Sequence, residues 1–424
     1  MRVCLFEDRD VGNLEPLVWT RPAFELLSGC TSLARKQCRF FQASKVGALV
    51  RPYLAGLCQE QQPSMHWNDA AWLASERTIM VNARWLPPAE FIAALSEPCV
   101  GLVDNEVVFA IAEPEHLGGC CTSTIDDCVE VWKRAYPSVQ AGGRLIRYLW
   151  ELVQINATQI RDDHPCFSVP RQESAVKVAV VGPAHHLTID PRARLDPMVV
   201  ADCTRGPIII DQDAVVTAFS RLEGPCFIGR GTHVLGARIR AGTTLGPQCR
   251  VGGEVEASIL QGFSNKYHDG FLGHSYVGEW VNFGAGTNNS DLRNDYGVIA
   301  VPVRGEPVNT GLTKVGCFIG DHTKTGLGTL LNSGSSVGIC CNLLPAGQLL
   351  PKYFPSFCSW WNSTLTANAN MPSLMRTAAE VMARRECQFT EGHAALYQSV
   401  FERTADERRR MILETEGRRL RRSA

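Results

Sequence analysis

No stretch of this 424-residue chain strings together the roughly eighteen apolar residues that a membrane-crossing helix needs, so no such span is expected. Charge of one sign is missing too: 42 Lys and Arg stand against 43 Asp and Glu, for a net charge of −1. A chain so balanced carries no broad basic field for nucleic acid or an acidic membrane surface. The last segment is locally basic at Arg408, Arg409, Arg410, Arg418, Arg419, Arg421 and Arg422, but Glu407, Glu414 and Glu416 interleave. A solvated helix face is the expectation there. No CxxC pair occurs among the 17 cysteines. Their odd number and the adjacent pairs Cys120-Cys121 and Cys340-Cys341 do not read as a disulfide framework. The opening Met1–Asp8 turns acidic after four apolar residues, too few for the core of a secretion signal. Small buried cysteines in a reducing cytoplasm are expected.

What is present divides by texture. A chain of this length predicts two domains with sizeable cores. Residues 1–165 read as mixed α/β. Val3–Phe6 and Thr78–Asn82 are short buried strands, and Val100–Val103 pairs with Val107–Ala112 around Asp104-Asn105. Helices are predicted at Glu90–Leu95 and Leu145–Ile155, and Asp162–Pro165 is expected to be a linker. Strands interleaved with helices predict a layered α/β domain.

From 166 to 370 apolar residues return at six-residue spacing, often followed by Gly. The pairs Ile189/Leu195, Ile210/Val216 and Ile228/Val234 are followed by the run Ile319, Thr325, Leu331, Val337, Leu343. This period predicts a hexapeptide β-helix, with one inward residue per short strand. An interruption at Ser290–Val315, rich in Asp, Asn, Arg and Gly, predicts a projecting loop that builds a binding face. Residues 371–424 read as a helical tail that caps the open end of the prism.

Several motifs on the coils carry a family resemblance. Lys266-x-His268 on a coil corner, Phe271-Leu272-Gly273, Val281-Asn282-Phe283-Gly284-Ala285-Gly286-Thr287 and Ile319-Gly320-Asp321 resemble bifunctional sugar-1-phosphate nucleotidyltransferase/glucosamine-1-phosphate N-acetyltransferases. Asn288–Arg293 and Thr310–Gly316 look closer to a divergent sugar nucleotidyltransferase branch, as do Phe6-Glu7-Asp8, Thr20-Arg21-Pro22 and Asn82–Pro87. The resemblance implies a Rossmann-like nucleotidyltransferase α/β domain, then a left-handed parallel β-helix with a helical tail, assembled as a homotrimer. It also implies an enzyme of sugar-nucleotide biosynthesis.

An aminosugar nitrogen must lose a proton before it attacks a thioester, and histidine is the usual base near neutral pH. His268 matches the family's catalytic histidine. A backbone N–H at Ala285 or Gly286 would meet the thioester oxyanion of acetyl-CoA. The resemblance gives Arg240, Lys266 and Lys314 to the sugar phosphate. It gives Asn288, Asn289 and Asp291 to the hydroxyls and amine. Glu256 stands where the family has a second lysine, and Asp291-Leu292 where it has Asn-Tyr, so the pocket that selects the sugar is altered.

The N-terminal part lacks the Gly-rich G-x-G-T-R loop that cradles a triphosphate in this fold, and Glu7–Asp10 is acidic at that point. Arg21 is the phosphate-binding candidate, for UTP or dTTP. Asn82 replaces the expected metal aspartate, which leaves Asp104 or Asp162 for Mg²⁺. Two further readings compete: nucleotidyl transfer alone, and a noncatalytic β-helix scaffold or regulator. A third, a metal hydratase built from His233, His268, His274 and His322, fits poorly, because no two of them have tight ligand spacing.

Overall fold

The computed structural model describes residues 1–89, 97–167, 178–345 and 347–423, and the side chains only as far as 417. The helix expected at Glu90–Leu95 and the side chains of Arg418 to Arg422 lie outside the described residues.

Continuous apolar runs dictate the first layer. Arg2–Phe6 is buried along its whole length and pairs in parallel with Lys45–Leu49 on one side and Thr78–Asn82 on the other. Burial on both sides is what such runs require. Glu106–Ala112 joins antiparallel to Thr78–Asn82 and to Cys99–Val103. The hairpin turns at Asp104 and Asn105, both with positive φ, a conformation that these short polar side chains tolerate. Ser138–Gln140 and His66–Trp67 complete a seven-stranded sheet.

The expected linker is not one. Asp162 and Asp163 end the helix Leu149–Asp163, and His164–Phe167 continues it as a 3-10 turn. Asp163 is fully buried and accepts from Cys30 N (2.8 Å) and Lys36 Nζ (2.6 Å). Asn156 on the same helix is a second hub. It accepts from Gly29 N at 2.7 Å and donates to Gly242 O at 2.8 Å and Thr244 Oγ1 at 2.9 Å. Buried polar groups need such partners, and these span the first layer and the coils.

The six-residue rhythm becomes a left-handed parallel β-helix. One face is a nine-stranded stack whose inward residues run Ile189, Ile210, Ile228, Leu245, Leu260, Val277, Ile319, Val337 and Phe354. A second face stacks Ala201, Leu222, Ile239, Val255 and Leu272. The third stacks Leu195, Val216, Val234, Val251 and then, unexpectedly, Lys266. At the corner that follows the nine-stranded face, Gln248, Phe263, Trp280, His322, Cys340 and Phe357 all hold positive φ. Phe263 stacks on Trp280 at 4.3 Å and Trp280 on His322 at 6.0 Å, which makes an aromatic column.

Ser290–Val315 does not project as an open loop. Its centre is a hairpin, Ala300–Val303 against Glu306–Asn309, whose Val301 and Val303 are buried in the core shared with the first layer. Apolar alternation outweighed the polar composition. The helices Met371–Ala383, Glu391–Arg403 and Ala405–Ser423 follow. Leu396, Tyr397 and Val400 join that same core. The expected solvated face fails at Arg408, which is only 4% exposed. Its guanidinium lies 4.1 Å from the Phe401 ring and donates to Thr404 Oγ1 and to Phe401 O.

Candidate functional site

His268 is exposed on the turn that follows Asn265–Lys266. Gly286 N donates to Asp269 O at 3.0 Å, which sets this turn against Gly284-Ala285-Gly286 of the next coil. That bond uses the Gly286 N–H, one of the two donors expected for the oxyanion. The Ala285 N–H has no acceptor among the described residues. The Tyr267 ring sits 5.2 Å from the imidazole.

Lys266 does not face substrate. It occupies the inward position of its strand, is 3% exposed, and donates to Gly252 O (2.9 Å) and to His268 O (3.2 Å). Burial pushes its ammonium down to about 8, against the pull of Asp269 and Glu254. The lysine therefore pins the histidine turn from inside the prism.

Arg240 is also corrected. Its guanidinium lies 3.1 Å from Glu254, 3.4 Å from Glu256 and 3.8 Å from Glu223. Glu223 also pairs with Arg221 at 2.9 Å and Glu254 with Arg238 at 3.8 Å, so Arg240 is one member of a balanced ion-pair network and not a cation held open for a phosphate. Asn289 is buried as a coil ladder: its Oδ1 accepts from Gly273 N and its Nδ2 donates to Gly273 O. Asn288 does the same for Phe271 N and Gly286 O. Their amides complete backbone pairing and do not point to a sugar. Lys314 is exposed, beside the bridge between Leu292 and its own backbone.

Asp291 has a partner that the sequence reading missed. Its Oδ2 is 2.7 Å from His274 Nδ1, and both side chains are half-buried. A carboxylate on Nδ1 orients an imidazole and leaves Nε2 for proton transfer. His274 stands six residues after His268, the spacing that carries the chain to the next corner, and that was the available signal. The strand Phe271–Gly273 separates the two histidines.

Arg21, expected on a nucleotide phosphate, is buried and paired. It donates to both oxygens of Asp321, at 3.1 and 2.6 Å, and lies 3.1 Å from Glu279. It ties the first layer to the β-helix. At the C-terminal ends of the central strands, where α/β sheets bind ligands, a cavity of about 150 Å³ is lined by Asp8, Asp10, Asn82, Glu106, Asp126 and Lys133, among others. Asp8 is held by Arg84 at 2.8 and 2.6 Å and by Asn82 at 2.7 Å. Asp104 faces Arg147 and Asp162 takes Gln159, on separate elements. Among the described residues no three His, Cys, Asp or Glu are grouped to hold a metal ion. Asp104 and Asp162, the aspartates left for Mg²⁺, thus do not come together in one site. No described helix is long and apolar enough to cross a membrane.

Comparison with known proteins bears out the resemblance. Residues 3–172 match the family described as Sugar nucleotidyl transferase. The chain is 33% identical over 144 residues to a bifunctional sugar-1-phosphate nucleotidylyltransferase/acetyltransferase of Sulfurisphaera tokodaii, covering 33% of this chain and 36% of that one. It is 36% identical over 105 residues to the bifunctional protein GlmU of Azorhizobium caulinodans, covering 24% and 23%. With the GlmU of Methylibium petroleiphilum it shares 32% over 153 residues, covering 35% and 31%. The chain thus spans about a third or less of the length of these relatives. Among solved structures, a UDP-N-acetylglucosamine acyltransferase of Francisella novicida aligns at TM-score 0.32 and 12% identity, over 47% of this chain and 73% of that one. The polysialic acid O-acetyltransferase OatWY aligns at TM-score 0.21 and 13% identity, over 45% and 87%.

Proposed function

We propose that this chain is a transferase of sugar-nucleotide biosynthesis that moves an acetyl group from acetyl-CoA to the amine of an aminosugar 1-phosphate on its β-helix. His268 takes the proton from the attacking ammonium, and the Ala285 N–H meets the oxyanion as the thioester carbonyl becomes tetrahedral. The C–S bond then breaks, the imidazolium returns its proton to the sulfur so that CoA leaves as the thiol, and the nitrogen gives its second proton to water as the amide forms. Lys266 is a positioning residue that holds the His268 turn through its carbonyl. Lys314, exposed beside Asp291, is the remaining cation for the phosphate. The observation that carries this reading is the bond from Gly286 N to Asp269 O, which brings the histidine turn and the Gly-Ala-Gly turn together. A homotrimer in the cytoplasm would place such a coil groove between subunits, where acetyl-CoA has room to lie.

Nucleotidyl transfer from UTP or dTTP to a sugar 1-phosphate in the first layer is the second reading. The family match over residues 3–172 favours it, while the acidic cavity at the strand ends and the missing Gly-rich loop oppose it. The test of the main reading is acetylation of glucosamine 1-phosphate, followed by mass spectrometry of the product. His268→Ala is expected to lower the rate by about 10²–10⁴-fold, the usual contribution of a general base, with the circular dichroism spectrum unchanged. An undiminished rate would remove His268 as the base and transfer attention to His274.

A further inference from the structure

A cavity of about 470 Å³ lies where the first layer, one corner of the β-helix and the helical tail meet. Its size is that of small-molecule sites, roughly 300–1,000 Å³. Leu54 and Trp67 come from the first layer, Phe263 and Trp280 from the aromatic column, and Leu396 and Tyr397 from the tail.

Its charges do not balance. Glu25, Glu60, Glu279 and Asp321 line it, against the one guanidinium of Arg21. Arg21 is fully engaged by Asp321 and Glu279. Among the described residues the carboxylate of Glu25 takes a hydrogen bond only from the Gln62 amide, at 3.1 Å, and that of Glu60 only from the Thr390 hydroxyl, at 2.5 Å. His393 on the tail wall is pushed towards its neutral form by burial. Burial also raises the carboxyl of Glu25, and that of Glu279 in spite of Arg21. A separate observation points the same way. Tyr397 is 3% exposed and lines the cavity, and among the described residues nothing hydrogen-bonds its hydroxyl. A ligand group entering the cavity would meet that hydroxyl as an unengaged hydrogen-bond partner. A phosphate or nucleotide would face four carboxylates and is disfavoured.

We propose that this junction cavity binds a small organic cation, a primary ammonium on a compact body, its charge set against Glu25 and Glu279 and a further polar group meeting the Tyr397 hydroxyl. Amino sugars and short alkyl diamines share that chemistry. Because all three parts of the chain line the cavity, its occupant also holds them together. The inference does not rest on the acetyl-transfer reading.

The test is isothermal titration calorimetry on the full-length protein with glucosamine, putrescine and glucose. Saturable binding of glucosamine or putrescine is expected, with glucose at least tenfold weaker, and the two amines separate an amino sugar from a diamine. Glu25→Gln keeps the shape of the wall, removes one charge, and is expected to weaken amine binding about tenfold or more. Tyr397→Phe is expected to weaken it severalfold while the unfolding temperature of the free protein stays near wild type. The proposal is overturned if neither amine binds, if glucose binds as well as the amines, or if both variants bind like wild type.

Discussion

At the scale of single residues the molecule reuses polar side chains as structural parts. Lys266, Asn288, Asn289, Arg21 and Arg240 all carry chemistry that a sequence reading assigns to substrate. In the fold, four of the five are consumed by backbone groups or buried carboxylates, and Arg240 by three surface glutamates. Lys266 gives a prediction with a definite sign. Its ordinary value is 10.5 and the fold holds it at about 8, so between those values the unfolded chain binds more protons than the folded one. Stability from this group must therefore rise as pH climbs from about 8 to 10.5. Thermal unfolding of Lys266→Met is expected to lack that rise relative to wild type across the same range. A parallel response in both proteins would show that Lys266 does not pay a burial penalty. Asp163 is the complementary case, a fully buried carboxylate on Lys36 and the Cys30 amide. Asp163→Asn strands the Lys36 charge, and urea titration is expected to show a loss of roughly 3–5 kcal/mol.

At the scale of elements, period was legible and insertion was not. The six-residue spacing of Ile319, Thr325, Leu331, Val337 and Leu343 was readable because each side chain points into one prism, and the coil repeats that demand at every face. The pairing of Val100–Val103 with Val107–Ala112 was readable from the turn at Asp104-Asn105. The hairpin Ala300–Val303/Glu306–Asn309 was not, because its burial depends on the first layer, far away in sequence. Long-range contact likewise hid the role of Arg21, and the helix ending at Asp163 looked like a linker because that carboxylate's partners, Lys36 and the Cys30 amide, were out of view. The hairpin predicts a cost: Val301→Ala removes a buried apolar contact and is expected to lower stability by about 2 kcal/mol in urea titration. A loss near zero would mean that the hairpin is an appendage, as its composition first implied.

At the scale of the whole molecule the first layer, the coils and the tail share one apolar core, in which Phe318, Phe357, Val301 and Leu396 join Val3 and Phe24. The buried pair of Arg21 with Asp321 is the polar counterpart of that union. Arg21→Met leaves Asp321 and Glu279 without their cation, and a loss of roughly 3–5 kcal/mol is expected. A double-mutant cycle with Asp321→Asn should recover part of it, since the two residues act as one unit. This union also explains why the candidate site was only partly legible. The position of His268 follows from the coil motif, but the dyad of His274 and Asp291 requires two successive coils to be stacked. Acetyl transfer at the His268 corner is the claim on which the functional account stands. Its most direct test is nuclear magnetic resonance of purified protein with [¹³C]acetyl-CoA and glucosamine 1-phosphate. The account predicts that the label moves from thioester to sugar amide in step with released CoA, in wild type and not in His268→Ala. Label that stays in the thioester with wild-type protein, under conditions where both substrates are present in excess, would contradict it.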